Sequence, residues 1–137
     1  MKHEKSCGAV VFTRVDGEIR YLLIKSLTGT YGFPKGHVEE NETEQETAKR
    51  EVLEETSLHV ELLNDFREED TYSFKFNCEI RMKHIVYFLA RFSDQIPVAQ
   101  ETELNSIHLM DYESALSSLQ FKSSKRILTA AHKFLTS

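Results

Sequence analysis

The apolar and polar positions in the N-terminal part of the chain predict two strands followed by a loop. β-rich runs cover residues 6–14 and 19–26. The Asp16–Gly17 pair between them is a strong signal for a two-residue hairpin turn. Residues 27–35 contain glycine and proline, a composition that favours a loop. We therefore expect the chain to begin with a β-hairpin.

The middle of the chain predicts further strands. Residues 58–66 and 71–77 alternate like strands, and the apolar run at 82–92 is typical of a buried strand. Residues 95–103 are polar and contain a proline, so we expect a loop there. A short strand is predicted at 106–110.

Two helices are predicted at the C-terminus, over residues 112–120 and 123–135. Their inward-facing residues would be Leu116, Leu119, Ile127, Leu128, Ala131 and Leu135. With one more helix between residues 36 and 58, these elements indicate a single domain over residues 1–137. Strands that flank a central helix suggest a mixed sheet between helices, and the pattern by itself establishes only the α+β class.

Three glutamates share one face of the helix predicted within residues 36–58. Glu51, Glu54 and Glu55 are spaced i, i+3 and i+4, and a helix advances about 100° per residue. Like charges at this spacing destabilise a helix by roughly a few tenths of a kcal/mol per pair, which a bound cation would relieve. Carboxylate oxygens are hard ligands that suit Mg²⁺ or Mn²⁺. The three residues therefore indicate either a metal site or a solvated acidic face.

The full spacing of residues 36–58 resembles the signature of the Nudix hydrolases. That signature is G-x5-E-x7-R-E-U-x-E-E-x-G-U, where U is aliphatic. The matching positions are Gly36, Glu42, Arg50, Glu51, Val52, Glu54, Glu55 and Leu58. Ser57 stands where the family usually has glycine. So many matches in one short segment identify the chain as resembling this family.

Local signals predict both ends of the helix in this box. Thr43 and Glu46 have the spacing of a capping box, with Asn41 as a competing N-cap. Glu46 and Arg50 are spaced for an i, i+4 ion pair. Glycine reaches the left-handed conformation freely, whereas serine at position 57 would cost up to about 1–2 kcal/mol. Ser57 thus leaves the exit geometry of the helix open.

The resemblance implies an α/β/α sandwich with a central loop–helix–loop motif and a metal-dependent pyrophosphohydrolase activity. The ligands it implies for Mg²⁺, or alternatively Mn²⁺, are the Gly36 carbonyl, Glu51, Glu54, Glu55 and Glu103. Glu103 is the better match for a glutamate outside the box, and Glu101 is the alternative. Arg50 and Glu42 would orient the ligands. The general base would be Glu54, with Glu103 as the second candidate.

Segments outside the box resemble the asymmetrical diadenosine tetraphosphate hydrolases, which cleave their substrate to ATP and AMP. These segments are residues 6–8, 33–39 and 87–90, and the tail from 120 to 135. Nudix enzymes hydrolyse a nucleoside diphosphate linked to another group, and the box does not select that group. The alternatives are a nucleoside triphosphate, a nucleotide sugar or the 5′ end of RNA. A non-catalytic Nudix domain that senses a nucleotide is an alternative of another class.

Three basic residues are candidates to bind the polyphosphate. Lys35 would contact a phosphate oxygen as a point charge, or else be a solvated loop lysine. Arg81 and Lys83 are two residues apart, so on a strand they share one face. The subfamily has a pair of basic residues there, and the resemblance implies that Arg81 and Lys83 clamp the polyphosphate. The alternative is that both are ordinary surface charges.

Three aromatic residues are candidates to bind the rest of the substrate. Tyr72 and Phe121 match positions at which the subfamily sandwiches an adenine, and stacking on a base contributes about 1–3 kcal/mol. Phe121 alternatively belongs to the core, as its apolar neighbours suggest. Tyr87 lies within an apolar run, where it would be either a core tyrosine or a residue that reaches the phosphates.

Composition narrows the partners and the location. The 137 residues carry a net charge of -5, which argues against broad nucleic-acid binding. The sequence has no apolar run of about 18 residues and no signal-peptide pattern, so we expect a cytoplasmic protein without a membrane segment. A small-molecule nucleotide would be its partner, and a monomer is favoured. Cys7 and Cys78 lack metal-binding spacing and are expected to be reduced and buried, with a disulfide as the alternative.

Overall fold

The fold is a mixed β-sheet between helices, seen in a computed structural model that describes residues 2–100 and 105–137. Its strands are β1 (Lys2–Val15), β2 (Glu18–Lys25), β3 (Tyr31–Gly32), β4 (Lys35–His37), β5 (Glu61–Leu62), β6 (Glu68–Phe76), β7 (Glu79–Arg91) and β8 (Ser106–Met110). Its helices are α1 (Glu44–Thr56), α2 (Tyr112–Ser118) and α3 (Lys122–Thr136). The central order is β3-β2-β1-β7-β5, with β4 beside β1, β6 beside β7 and β8 beside β2. The pairing of β1 with β7 is parallel and the other pairs are antiparallel.

Strand β1 is covered on both faces of the sheet. Residues 6–13 are buried without interruption, as expected for a strand between two layers. Val10 packs in one cluster with Ile127 of α3, whereas Val11 packs in another with Val52 of α1. Helix α1 therefore covers one face, and α2 and α3 cover the other. The predicted α+β class and the α/β/α sandwich are confirmed.

Most predicted elements are found in the structure. Asp16 and Gly17 both have positive φ (51° and 82°), as a type I′ hairpin turn requires, so the first hairpin is confirmed. Strand β8 and helices α2 and α3 lie where they were predicted to within two residues. Residues that pack in or against the core include all six predicted to face inward, namely Leu116, Leu119, Ile127, Leu128, Ala131 and Leu135. No helix of the described residues is long and apolar enough to span a membrane.

Some predictions are wrong for identifiable reasons. Within residues 58–66 only Glu61–Leu62 is a strand. Leu58, Val60 and Phe66 are buried in the core, although the backbone that carries them is largely irregular. The loop predicted at 27–35 contains β3 and the start of β4, because its backbone pairs with β2 and β1. Both cysteines are free, and Cys7 is buried as expected, but Cys78 is exposed in the turn between β6 and β7.

The N-terminus of α1 has the predicted capping box. Thr43 Oγ1 accepts a hydrogen bond from the Glu46 N–H at 3.1 Å, and Glu46 Oε1 accepts one from the Thr43 N–H at 2.9 Å. Thr43 is therefore the N-cap, and Asn41 lies before it with φ 68°. The predicted Glu46–Arg50 pair is wrong, because Glu46 is used at the cap and Arg50 binds other glutamates.

Helix α1 ends in the left-handed conformation even though the residue there is serine. Ser57 has φ 63° and ψ 15°, and its N–H donates to the Leu53 carbonyl at 2.8 Å. The Ser57 hydroxyl donates to the Val98 carbonyl at 3.2 Å, and the Val98 N–H donates to the Thr56 carbonyl at 2.8 Å. Ser57, which replaces the usual glycine of the signature, therefore adopts the same left-handed conformation that glycine would adopt at the end of α1.

We expect Ser57→Gly to raise the free energy of unfolding by up to about 1 kcal/mol. Glycine removes a left-handed penalty of about 1–2 kcal/mol. A hydrogen bond contributes about 0.5–1.5 kcal/mol, and this exposed bond of 3.2 Å belongs at the lower end of that range, so the penalty is the larger of the two. Urea denaturation measures the difference. The control is Ser57→Ala, which loses the hydrogen bond but keeps the penalty and should be less stable than wild type. A glycine variant no more stable than the alanine variant would contradict this reasoning.

Candidate active site

Gly36 lies directly against the carboxylate of Glu51. Strand β4 pairs with β1, so that Gly36 is opposite Cys7. A Cβ atom on Gly36 would overlap the carboxyl carbon and both carboxylate oxygens of Glu51. Glycine is therefore required here for the close approach of β4 to α1. The contact also limits where the Glu51 carboxylate can lie.

Glu55 meets the same short strand one helical turn later. The Lys35 N–H donates to Glu55 Oε2 at 3.0 Å. Two carboxylates from successive turns of α1 thus contact the adjacent residues Lys35 and Gly36. Burial raises the pKa of Glu51, and the neighbouring Arg50 guanidinium acts in the opposite direction.

Arg50 connects the glutamates of the box. Its Nε donates to Glu42 Oε2 at 2.7 Å, and its Nη1 donates to Glu51 Oε1 at 2.8 Å and to Glu54 Oε2 at 3.2 Å. Its Nη2 donates to the His37 carbonyl at 3.0 Å. The side chain of Glu54 is half exposed, whereas that of Glu51 is only 14% exposed. Arg50 thus contacts Glu42 and two of the proposed ligands, Glu51 and Glu54.

We expect Glu42→Gln to reduce the acid sensitivity of the protein. Hydrogen bonds from the Arg50 guanidinium, and then from the Glu39 N–H, lower the pKa of Glu42 to about 2 from an ordinary 4.5. A lowered carboxyl pKa stabilises the fold above the unfolded value, and this stability is lost as the pH falls from about 4.5 to about 2.

The measurement is urea denaturation of wild type and Glu42→Gln at pH values from 7 to 2. The variant should be less stable than wild type at pH 7, and the difference should disappear towards pH 2. Glu40→Gln removes an exposed carboxylate nearby and serves as the control. Parallel stability curves for wild type and Glu42→Gln would contradict the expectation.

The donor atoms of this region fit a hard divalent cation. The carboxylates of Glu51 and Glu55 both approach the backbone of the Lys35–Gly36 dipeptide, and carboxylate oxygens are the hard donors that such an ion prefers. Mg²⁺ is usually bound by one or two carboxylates, with waters and substrate phosphates as the other ligands. Within residues 2–100 and 105–137, no three histidine, cysteine, aspartate or glutamate side chains form a group that could hold a metal ion. Glu103 and Glu101 lie outside the described residues.

A cleft extends from Glu55 along the sheet. Its smaller part, about 260 Å³, is lined by Glu55 and Tyr31 among others, and its larger part, about 530 Å³, by Asp70 and Tyr72. Residues that line both parts are Lys35, Tyr87, Phe121 and Ser124. The combined cleft is within the usual size range of small-molecule sites. It connects a glutamate of the box to a region with exposed aromatic rings.

Four of the predicted substrate residues meet in this cleft. Tyr72 and Phe121 are 43% and 57% exposed, so Phe121 does not belong to the core. Tyr87 is buried, and its ring packs edge-on against Phe33 at 5.4 Å. Burial, and then the charge of Lys83, lower the pKa of Lys35. The cleft therefore brings together one basic and three aromatic candidates.

The two predicted basic residues, Arg81 and Lys83, have different surroundings in the structure. Lys83 lies opposite Tyr72, a cleft residue, in the β6–β7 register. The Arg81 guanidinium lies 4.5 Å from the centre of the Phe76 ring, and its Nη1 is 3.5 Å from Glu4 Oε1. Lys83 thus has the better position to meet a ligand in the cleft, whereas Arg81 is engaged by an aromatic ring and a carboxylate.

The cleft residues that were not predicted from the sequence include Tyr31 and Asp70. Tyr31 lines the part that contains Glu55, but the sequence placed it in a loop without a defined orientation. Asp70 precedes Tyr72 by two residues on β6 and shares its face. The alternation of this strand would have identified Asp70 if the strand had been predicted to begin at residue 68 rather than 71.

Comparison with known proteins gives the family. The NUDIX domain profile matches residues 2–131. The chain is 30% identical to the asymmetrical bis(5'-nucleosyl)-tetraphosphatase of Mus musculus, over 97% of this chain and 96% of the mouse protein.

Solved structures support the same fold. A C. elegans Ap4A hydrolase binary complex has a TM-score of 0.84 and 23% identity, and covers 96% of this chain and 97% of that one. The NUDIX domain of Shewanella oneidensis NrtR complexed with ADP ribose has a TM-score of 0.72 and 19% identity, with 99% and 90% covered. Both likenesses are under 25% identical and show the fold alone. From the domain match and the full-length similarity to the mouse protein, we conclude that this chain belongs to the Nudix hydrolase family.

Proposed function

We propose that this chain hydrolyses diadenosine tetraphosphate to ATP and AMP. The observation that carries the proposal is the cleft that joins Glu55 and Lys35 to the exposed rings of Tyr72 and Phe121. One end offers the Glu55 carboxylate for a metal ion and Lys35 for the polyphosphate, and two exposed rings offer flat surfaces for a base. The similarity to the mouse tetraphosphatase supports the same substrate.

The proposed reaction is attack of water on a phosphorus, with a nucleotide as the leaving group. We propose Glu54 as the general base, because its half-exposed carboxylate can be reached by water. Glu103 is the second candidate. Arg50 holds Glu51 and Glu54 through its hydrogen bonds. No covalent bond between substrate and protein is needed in this scheme.

Divalent metal ions are generally used by Nudix hydrolases, and we propose Mg²⁺, with Mn²⁺ as the alternative. The residues that would hold it are the Gly36 carbonyl, Glu51, Glu54, Glu55 and Glu103. When bound, such an ion neutralises charge on phosphate oxygens and lowers the pKa of a water molecule. Lys35 and Lys83 would add positive charge along the cleft, and Tyr87 would form its buried wall. Arg81 would act on the polyphosphate only after leaving Phe76 and Glu4.

The cleft is suited to a small nucleotide rather than a macromolecule. We further propose that the chain acts as one domain, as a monomer in the cytoplasm. Its net charge of -5 is consistent with a small-molecule substrate and not with broad nucleic-acid binding.

The test is a product analysis of the purified protein with Mg²⁺. The substrates are diadenosine tetraphosphate, a panel of nucleoside triphosphates, ADP-ribose and triphosphorylated RNA. We expect the dinucleotide to have the highest kcat/KM and to yield ATP plus AMP. A higher kcat/KM for another substrate would contradict the proposal. The absence of turnover on every substrate would favour the non-catalytic alternative.

We expect Tyr72→Ala and Phe121→Ala each to raise KM for the dinucleotide roughly tenfold, because stacking on a base contributes about 1–3 kcal/mol. Both rings are exposed, so their removal should leave the fold stable. Leu109→Ala removes a similarly exposed apolar side chain from β8, outside the lining of both parts of the cleft, and is the control. Steady-state kinetics measure the effect. An unchanged KM in both cleft variants would show that the base does not stack between these rings.

A further inference from the structure

We propose that Asp70 recognises the ribose of the bound nucleotide by accepting hydrogen bonds from its 2′- and 3′-hydroxyl groups. This inference rests on the proposed function in that it requires a nucleotide in the cleft. Asp70 lines the larger part of the cleft together with Tyr72 and Ile85. Its side chain shares the face of Tyr72, because the two residues are two apart on β6.

The strand register places Asp70 between the phosphate end and the base end of the cleft. Gly8 of β1 lies opposite both Lys35 and Tyr87, which defines one level across the sheet. The next level on this face pairs Asp70 with Ile85, and the level after that pairs Tyr72 with Lys83.

A nucleotide has its ribose between phosphate and base. If a phosphate lies at Lys35 and the base stacks on Tyr72, the sugar lies at the level of Asp70.

The charge of Asp70 needs a partner in such a cleft. A carboxylate repels phosphates, so its presence beside a polyphosphate is unfavourable unless a donor satisfies it. Its negative charge acts on Tyr72 and Tyr87, raising their pKa values after the larger effect of burial, and it opposes the lowered pKa of Lys35. Within the described part of the chain, no hydrogen bond or ion pair engages the Asp70 carboxylate.

The hydroxyl pair of a ribose suits this carboxylate in chemistry and geometry. Two adjacent O–H donors match the two carboxylate oxygens, and hydrogen bonds to a charged group are the stronger kind. In other nucleotide-binding folds an acidic side chain also binds a ribose hydroxyl. Adenine offers a single amino group as donor on its outer edge, so the ribose is the better partner.

The test compares ADP with 2′,3′-dideoxy-ADP in calorimetric binding to wild type and Asp70→Ala, with Mg²⁺ present. In wild type, loss of both hydroxyls should weaken binding about 10- to 100-fold, as expected for hydrogen bonds to a charged group. In Asp70→Ala the two ligands should bind almost equally. Each ratio is taken within one protein, so a change in the folded fraction cancels.

Glu69→Ala is the matched control. Glu69 is the neighbouring acidic residue, faces the other side of the sheet and pairs with Arg67. This variant should keep the wild-type preference for the ribose hydroxyls. Equal binding of the two ligands by wild type would overturn the inference, as would an unchanged preference in Asp70→Ala. If the preference depends on Asp70 but diadenosine tetraphosphate is not cleaved, the inference stands and the proposed function fails.

A ligand with a different base tests whether Asp70 contacts the base instead of the ribose. Replacing ADP with GDP alters the edge of the base but not the ribose. If Asp70→Ala changes the ADP-to-GDP ratio and leaves the hydroxyl preference intact, Asp70 contacts the base, and the ribose assignment is wrong.

Discussion

Glu55→Gln should lower kcat for the preferred substrate by about 10³-fold, while the protein remains folded. Metal coordination and proton transfer in a hydrolase active site each contribute large factors, and loss of a general acid or base alone costs about 10²–10⁴-fold. Glutamine has nearly the same shape as glutamate, and its side-chain oxygen can still accept the Lys35 N–H that Glu55 accepts at 3.0 Å. The substitution therefore removes the charge and can keep this hydrogen bond.

The loss of charge should appear first in metal binding. Mn²⁺ is paramagnetic, so its affinity for the protein can be measured by electron paramagnetic resonance. The signal of free Mn²⁺ decreases as protein is added and the ion binds. Glu55→Gln should weaken this affinity, and raising the Mg²⁺ concentration should recover part of the activity. KM at saturating metal should change less than kcat, because Lys35, Tyr72 and Phe121 are unaltered.

Glu61→Gln is the control for Glu55→Gln. Glu61 lies on β5, is exposed and pairs with Arg91 at 2.9 Å, away from the cleft residues. This variant removes the same charge from the protein and should keep wild-type kcat and Mn²⁺ affinity. Wild-type activity in Glu55→Gln would exclude Glu55 as a metal ligand and would refute the mechanism proposed for the box.

The spacing of the box residues was enough to predict α1 and its polar face. Thr43 and Glu46 form the predicted cap because a capping box is a local interaction between near neighbours. Ser57 shows the limit of local inference. Its left-handed conformation is held by Leu53 and Val98, and Val98 lies far along the chain.

Long-range pairing explains what the sequence did not reveal. Arg50 has several glutamates within reach, and only the folded backbone of β4 and of the loop between β4 and α1 selects Glu42 over Glu46. The spacing of Arg81 and Lys83 predicts only that they share a face of their strand. Arg81 contacts Phe76 and Glu4 because β6 and β1 lie on either side of β7. Periodicity identifies the face of a side chain but not its partner across the sheet.

Gly36→Ala should reduce kcat about 10²-fold, because a small displacement of a catalytic group has an effect of that size. The new Cβ atom would overlap the Glu51 carboxylate, and either that carboxylate or β4 must move. Overpacking of this kind costs about 1–3 kcal/mol, so the melting temperature should also fall. Mn²⁺ affinity should decrease with activity, since a ligand has been displaced.

Gly32→Ala is the matched control for this substitution. Gly32 lies in β3, has no positive φ and has nothing within 4 Å of the added Cβ position, so Mn²⁺ affinity and stability should stay near those of wild type. The double variant Gly36→Ala with Glu51→Asp tests the cause. Shortening the side chain at 51 makes room for the new methyl group, so stability should recover by more than additivity allows. Activity should stay low, because the shorter aspartate side chain does not bring its carboxylate to the position that the Glu51 carboxylate occupies. Wild-type kcat in Gly36→Ala would mean that the position of the Glu51 carboxylate against β4 is not needed for the reaction.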